Sequence, residues 1–275
     1  MATNVDPRST PILPVVGVIG AIAALIAVVR IAVQSHTGQT WDHEAMSTVY
    51  AGREARLAVL SVLGRVSIGL VVGVLVACVG AAILRGRRDL AVGALVIVAG
   101  ANVTTQLLKR QLLERPDLGL GTINSLPSGH TTVVASAAAA VILVAPVMMR
   151  GLLALGGAAA VTMTGASTIV AAWHRPADVI AALIVCLGWA ALVSVVVQGW
   201  SAASFTDGVF ALVGAGVALI ALVAVGVRPL MGWDGFFEAS LVLGAVALAT
   251  AGYVWAVCAV VPRVTSETFH VEHPV

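Results

Sequence analysis

The chain has 275 residues, of which 60% are hydrophobic and only 10% are charged. Soluble domains carry about 25% charged residues, so this composition excludes a water-soluble enzyme and also a disordered chain. A membrane β-barrel is disfavoured because the apolar runs are long and unbroken rather than short and alternating. The formal net charge of +2 is too small to indicate a nucleic-acid partner. The remaining class is a polytopic α-helical membrane protein.

Eight apolar runs are each long enough to form a helix that crosses a membrane. In chain order they cover residues 11–33, 62–84, 89–108, 130–149, 151–172, 177–198, 208–227 and 237–261. Most of the connections between them are short. The predicted fold is therefore an all-α membrane helix bundle.

The connection at residues 34–61 is longer than most and differs in composition from the apolar runs. It contains Trp41, Asp42, His43 and Glu44, a mixture of aromatic and charged side chains. Such a mixture is typical of a helix that lies on the membrane surface, but a plain connecting loop fits the same residues. Both interpretations stay open at the level of sequence.

Positive charge in the loops indicates how the bundle is oriented. Residues 85–88 read Arg-Gly-Arg-Arg, and positive charge in a short loop favours the cytoplasmic side. With eight spans, both termini then lie inside, and the loops at 109–129 and 173–177 face outward. Lys109, Arg110 and Arg115 lie in an outward loop against this rule, and an anionic ligand would explain their charge.

Three polar segments stand out against the apolar background. The first runs from Lys109 to Pro116 after the third predicted helix, and the second is Pro127-Ser128-Gly129-His130 at the start of the fourth. The third runs from Ser167 through Trp173-His174-Arg175-Pro176 to Asp178, across the fifth and sixth helices. Because the chain alternates between the two membrane faces, all three segments fall on the same face and can form one site.

The first two segments suit the binding of a phosphate group. Lys109 and Arg115 supply positive charge, and an arginine can bind two phosphate oxygens at once. Ser128 and Gly129 begin a predicted helix, where exposed backbone N–H groups attract anions. His130 follows directly and is placed beside such an anion.

The third segment suits a histidine that is held by a carboxylate. Pro176 is expected to begin the sixth helix, which places His174 in the turn before it. Asp178 then lies in the first helical turn, from which its carboxylate can reach back to His174 and orient the ring. Ser167 lies two turns before His174, and its hydroxyl can point toward the same place.

These three segments resemble the signature motifs of the type-2 phosphatidic acid phosphatase superfamily, which includes lipid phosphate phosphatases and bacterial polyprenyl diphosphate phosphatases. The motifs of that family are Lys, six residues, Arg-Pro; then Pro-Ser-Gly-His; then Ser-Arg, five residues, His, three residues, Asp. Their order and placement match residues 109–178. The resemblance implies a six-helix phosphatase-like core over 11–198. Outside the resemblance, the sequence predicts a tail at 1–10, two additional transmembrane helices in 199–261 and a second tail at 262–275.

The chain departs from these motifs at two points. Five residues rather than six separate Lys109 from Arg115, and Thr168 stands where the family has arginine. The spacing of Ser167, His174 and Asp178 is intact. Arg175 or Arg110 would have to replace the missing cation; otherwise the activity would be weak or the substrate altered.

The resemblance also implies a role for each matching residue. His174 would be the nucleophile that takes the phosphoryl group, Asp178 would hold it, and His130 would act as general acid and then as general base. The residues expected to bind the phosphate are Lys109, Arg115, Ser128, Gly129, Ser167 and Arg175. The resemblance implies no metal and no cofactor, and no group of residues in the sequence has metal-ligand spacing.

The sequence therefore predicts a phosphatase of the bacterial cytoplasmic membrane with its active site facing outward. Its substrate would be a membrane lipid phosphate or diphosphate: a polyprenyl phosphate or diphosphate, phosphatidic acid or phosphatidylglycerol phosphate. A lipid phosphotransferase, or an inactive binder or transporter of anionic lipids, remains an alternative because of Thr168. The sequence predicts no nucleic-acid partner and does not decide the oligomeric state.

Overall fold

The computed structural model describes residues 12–65, 68–197 and 204–261, and the predicted tails lie outside these ranges. Within them the chain forms ten α-helices and one two-stranded sheet. The elements are α1 (Ile12–Val28, continued by a π-helical turn at Val29–Val33), α2 (His36–Ser47), β1 (Val49–Ala51), α3 (Arg53–Arg65), α4 (Ile68–Leu84), α5 (Arg88–Leu107, continued by a π-helical turn at Leu108–Leu112), α6 (Gly129–Val144), α7 (Arg150–Val170, preceded by a 3-10 turn at Val147–Met149), α8 (Pro176–Val197), α9 (Phe205–Ala224), β2 (Val227–Pro229) and α10 (Phe236–Val260).

The helical membrane bundle predicted from composition is confirmed. In the part of the chain that the structure describes, six helices are long and apolar enough to cross a membrane. They are Ile12–Val33, Arg88–Leu112, Val147–Val170, Pro176–Val197, Phe205–Ala224 and Phe236–Val260. Arg53–Gly64 and Gly69–Leu84, inclined by 43°, form a seventh candidate span if they are taken together. The predicted helix 62–84 is thus divided between α3 and α4.

Helix α6 is shorter than the predicted helix 130–149. It ends at Val144 after sixteen residues, and Ala145 adopts an extended conformation with ψ of 149°. The cause is Pro146, because a proline disfavours the helical conformation of the residue before it. The predicted end at residue 149 is therefore wrong, and Val147–Met149 form a separate 3-10 turn.

The segment 34–61 is largely helical, so its interpretation as a plain connecting loop is wrong. Ser35 begins α2 by accepting a hydrogen bond from the Gly38 N–H at 3.0 Å. A side chain at Gly38 would overlap the carbonyl oxygen of Ile31, so only glycine allows α2 to fold back this closely on the end of α1. After α2, β1 pairs antiparallel with β2, with Val49 opposite Pro229.

The two C-terminal helices pack in the same bundle as the others. Helix α9 lies along α7, where a Cβ at Gly214 would overlap the Leu155 carbonyl. Helix α10 contacts α7, α8 and α9, and its buried Tyr253 hydroxyl donates to the Ala135 carbonyl of α6 at 2.8 Å. Close approach of small residues is a common way for membrane helices to associate.

Candidate active site

Helix α6 begins with Ser128 as its N-cap. The Ser128 hydroxyl accepts hydrogen bonds from the Thr131 N–H at 3.4 Å and from the Thr131 hydroxyl at 3.1 Å. The Ser128 N–H, which was predicted to face an anion, instead donates to the Asp178 carbonyl at 2.9 Å. That part of the prediction is wrong, because Ser128 is fully buried and ties the start of α6 to the start of α8.

The turn between α7 and α8 is fixed by a Schellman motif. The Trp173 N–H donates to the Thr168 carbonyl at 3.0 Å, and the Ala172 N–H donates to the Ile169 carbonyl at 2.8 Å. Ala172 occupies the left-handed position of this motif with φ of 58°, where glycine is usual. The turn ends α7 and places His174 just before the start of α8.

His174 and Asp178 form a buried pair. The His174 Nδ1 lies 3.1 Å from the Asp178 Oδ2, and this same oxygen accepts the Arg175 N–H at 2.9 Å. His174 is 8% exposed and Asp178 only 2%. The carboxylate thus holds both the imidazole and the turn that carries it, and it favours the tautomer with its proton on Nδ1.

Two arginines near this pair have buried nitrogens without a partner. Arg115 is 6% exposed, and its Nε and Nη2 make no hydrogen bond among the described residues. Arg175 donates from Nη1 to the Ser125 hydroxyl at 3.1 Å, while its Nε has no partner in the same ranges. Burial, together with the positive charge of Arg175, lowers the pKa of Arg115. An anion between the two guanidinium groups would accept hydrogen bonds from the unpartnered nitrogens and would stabilise the positive charge of Arg115.

Lys109 and His130 lie within electrostatic range of the buried pair. Lys109 follows α5 in a π-helical turn, and its charge acts on Asp178 and on His130. His130 lies in the first turn of α6, is half-buried and lies within electrostatic range of His174. Its ring centroid is 5.5 Å from that of Trp173. The three segments that the sequence singled out therefore meet at one end of the bundle.

Ser167 and Thr168 lie in the last turns of α7. Both are fully buried, and the Ser167 hydroxyl makes no hydrogen bond within residues 12–65, 68–197 and 204–261. The Thr168 hydroxyl donates to the Gly165 carbonyl at 2.7 Å. The hydroxyl of Thr168 is therefore hydrogen-bonded within its own helix, and this residue supplies no positive charge to the site. Of the two arginines considered as replacements, Arg175 lies at the site, whereas Arg110 is exposed.

The loop before α6 is held by residues that the sequence did not single out. The Asn124 amide donates to the carbonyls of Leu113 at 3.1 Å and of Lys109 at 3.4 Å. Its carbonyl oxygen accepts the Leu126 N–H at 3.2 Å. Asn124 thus connects the first polar segment to the start of the second, and its neighbour Ser125 accepts a hydrogen bond from Arg175 of the third. No feature of their spacing indicated these roles.

Helix α2 also reaches the site, through two side chains. The buried Gln39 amide donates to the carbonyls of Val33 at 2.7 Å and of Pro116 at 3.1 Å. Asp42 accepts the Ala177 N–H at 2.9 Å, across 135 residues of sequence. In the sequence, only the acidic and amide side chains of residues 34–61 indicated that this segment makes polar contacts. They did not indicate which residues it contacts.

One comparison with known proteins gives a family match over the part of the chain that contains the candidate site. The family model of the PAP2 superfamily matches residues 90–202, a range that includes all three polar segments. No curated protein and no solved structure matches the chain significantly.

Proposed function

We propose that this chain, whose residues 90–202 belong to the PAP2 superfamily of phosphatase-type enzymes, hydrolyses a lipid phosphate or diphosphate in the bacterial cytoplasmic membrane. The active site faces outward, and the reaction passes through a phosphohistidine on His174. No metal or cofactor takes part.

One observation carries this proposal. Arg115 and Arg175 place guanidinium nitrogens without partners among the described residues beside a buried histidine–carboxylate pair. Unpaired positive charge next to a potential nucleophile is costly unless an anionic substrate completes it. The phosphate group is the anion that matches both the planar guanidinium forks and the chemistry of an oriented imidazole.

In the first step, the His174 Nε2 attacks phosphorus and forms a P–N bond while the P–O bond to the lipid alcohol or phosphate breaks. Asp178 accepts the Nδ1 hydrogen bond and stabilises the positive charge that develops on the ring. His130 donates its proton to the leaving oxygen. Lys109, Arg115 and Arg175 offset the negative charge on the phosphoryl oxygens, together with the N–H groups at the start of α6 near Gly129.

In the second step, water attacks the phosphohistidine and the P–N bond breaks. His130, now neutral, takes a proton from this water, and inorganic phosphate leaves with the nitrogen lone pair returned to His174. The same histidine thus acts as acid and then as base. Ser128 and Ser167 support the site from buried positions, Ser128 as the N-cap of α6 and Ser167 in the last turns of α7.

An apolar groove supports a substrate with a lipid tail. It has a volume of about 260 Å³ and lies between α1, α5 and α8, with Ile22, Leu25 and Trp189 among its walls. Thr104 of α5 also lines the groove. This residue precedes Lys109 by five positions, or about 7.5 Å along a helix. A lipid whose phosphate lies at Lys109 could therefore leave part of its tail in the groove.

The test is phosphate release in detergent with EDTA present, by the wild type and by His174→Ala. The substrates are polyprenyl diphosphate, polyprenyl phosphate, phosphatidic acid and phosphatidylglycerol phosphate. Release by the wild type alone supports the histidine mechanism and ranks the lipids. Absence of release from all four lipids by folded protein would refute hydrolysis.

Transfer and binding are the other outcomes of this test. If addition of a short alcohol diverts the phosphoryl group from water to that alcohol, the enzyme is a phosphotransferase. If neither reaction occurs but the lipids still bind to His174→Ala as to the wild type, the chain is a binder, and the neutral Thr168 is the feature that explains it.

A further inference from the structure

The N-terminus of α8 has an incomplete cap of its own. Pro176 is the first helical residue and has no N–H, so Ala177 presents the first N–H that needs an acceptor. The residue before the helix, Arg175, would normally supply this acceptor from its side chain. A guanidinium has donors only, so Arg175 has no acceptor to offer.

Two carboxylates, one from α8 itself and one from α2, supply acceptors for the N–H groups at this end of α8. Asp178, the third helical residue, accepts the Arg175 N–H at 2.9 Å, which is one half of a capping box. Asp42 of α2 accepts the Ala177 N–H at 2.9 Å, a bond that an N-cap side chain can otherwise accept from the second helical residue. Negative charge at this end of α8 is also favoured by the helix dipole.

Helix α2 is held firmly enough to serve as a support for this contact. Ser35 caps it, Gly38 allows its close approach to the Ile31 carbonyl, and the buried Gln39 bonds to the Val33 and Pro116 carbonyls. Asp42 follows Gln39 by three residues and so lies on a neighbouring part of the same helix face. One short helix thus contacts both the loop after Arg115 and the start of α8.

We propose that Asp42 is a positioning residue that completes the cap of α8 and so fixes the Asp178 carboxylate and the His174 ring. This inference rests on the proposed phosphatase function for its catalytic consequence, but not for the structural contact. Asp42 touches neither His174 nor a phosphate; it acts through the backbone of Ala177.

The charge of Asp42 reaches several groups at the site. Arg115, Arg175 and Asp178 all lie within its electrostatic range. The neighbouring charged residues of the other elements packed on α2, Arg30 after α1 and Glu238 of α10, are exposed to solvent. Burial raises the pKa of Asp42 to about 7, so its charge state changes near neutral pH.

The first experiment measures hydrogen exchange over residues 174–183 in detergent, in the wild type, Asp42→Ala, Asp42→Asn and Glu44→Gln. Glu44 is the matched control because it is an exposed carboxylate on the same helix. Loss of a helix cap should speed exchange of the first turn of α8 by about tenfold in Asp42→Ala. Asp42→Asn keeps an acceptor and should stay close to the wild type, as should Glu44→Gln.

The second experiment measures kcat and KM for phosphate release with the same variants from pH 5.5 to 9. Asp42→Ala should lower kcat by about tenfold with a KM within about twofold, since the loss concerns orientation rather than substrate contact. Asp42→Asn keeps an acceptor oxygen for the Ala177 N–H and should retain most of the activity over this pH range.

The two experiments distinguish the capping role of Asp42 from its role in positioning the catalytic pair. Unchanged exchange in Asp42→Ala, or equal changes in Glu44→Gln, would overturn the capping role. Faster exchange with an unchanged kcat would overturn the positioning role. If the wild type releases no phosphate from any lipid, the proposed function fails, and the exchange measurement alone decides whether Asp42 caps α8. Size-exclusion profiles and helicity of each variant show whether it is folded.

Discussion

A single carboxylate oxygen of Asp178 lies 3.1 Å from the His174 Nδ1 and 2.9 Å from the Arg175 backbone nitrogen. The ring and the turn that carries it are therefore held by the same atom. Because α8 begins at Pro176, Asp178 lies in the first helical turn, where its charge is favoured. A rigid support of this kind fits a histidine that acts as a nucleophile.

Removal of His174 or of the Asp178 charge should abolish or strongly reduce turnover. We expect His174→Ala to reduce phosphate release to background. Asp178→Asn should lower kcat by about 10²–10⁴-fold, since the amide cannot stabilise a positive ring and allows the wrong tautomer. The measurement is phosphate release with EDTA present, combined with acid-labile labelling from a ³²P-lipid. Labelling of His174→Ala at the wild-type level would show that the nucleophile is another residue.

Replacement of His130 should slow the reaction without preventing phosphate binding. His130→Ala is expected to lower kcat by about 10²–10⁴-fold, which is the usual contribution of a general acid–base residue. A substrate with a good leaving group, such as an aryl phosphate, should recover much of the first step because it needs little protonation. Equal losses for the lipid and for the aryl phosphate would contradict the role of His130 as the acid.

Arg175 and Arg110 provide a matched pair of variants. Arg175 lies at the site with an unpartnered Nε among the described residues, whereas Arg110 is exposed. We expect Arg175→Ala to lower kcat/KM by about 10²–10³-fold, as for loss of one charged donor to the transition state. Arg175→Lys should recover part of this loss. Arg110→Ala should stay within about twofold. If Arg175→Ala leaves kcat/KM unchanged, Arg175 does not replace the cation missing at Thr168.

Ala172 should respond to substitution according to its backbone conformation. Its φ of 58° is unfavourable for residues with a side chain, by about 1–2 kcal/mol relative to a helical conformation. Ala172→Gly should therefore raise the free energy of unfolding by about 1 kcal/mol and the Tm by about 2–4 °C. Ala172→Val should lower both, because a β-branched residue tolerates this conformation poorly. Thermal unfolding in detergent provides the measurement, and a lower Tm for Ala172→Gly would argue against this turn.

Asp42 should make stability depend on pH in an unusual direction for a carboxylate. Its pKa is about 7 in the folded protein and 3.8 in its ordinary state, so the unfolded chain binds fewer protons between these values. Stability contributed by this group therefore decreases as the pH rises from about 4 to 7 and then stays constant. The Tm of the wild type should fall relative to that of Asp42→Asn between pH 5 and 8. A constant difference over this range would show that Asp42 titrates at its ordinary pKa.

Several elements could be predicted from local sequence because their causes are local. Long apolar runs indicate spanning helices, and Pro176 marks the start of α8. The reach of Asp178 back to His174 follows from the spacing of four residues. By contrast, the predicted end of α6 lies five residues too late, because the apolar run continues past Pro146 although this proline already ends the helix before Ala145.

Other contacts at the site could not be predicted because they join distant residues. Asn124 holds carbonyls of the first polar segment, and the Ser128 N–H donates to Asp178 rather than facing an anion. The sequence offered Arg110 and Arg175 as equal replacements for the missing arginine. Only the packing of the turn against Ser125 distinguishes them.

By itself, the sequence determined the class of the protein, the approximate positions of its helices and the three polar segments that meet in the candidate site. These properties depend on hydrophobicity, on proline and on spacing within one helical turn, which are properties of neighbouring residues. The tertiary structure alone decided that Asp42 caps α8 and that Arg175 rather than Arg110 lies at the site. Such contacts depend on how helices pack, and small residues such as Gly38 set that packing across large distances in sequence.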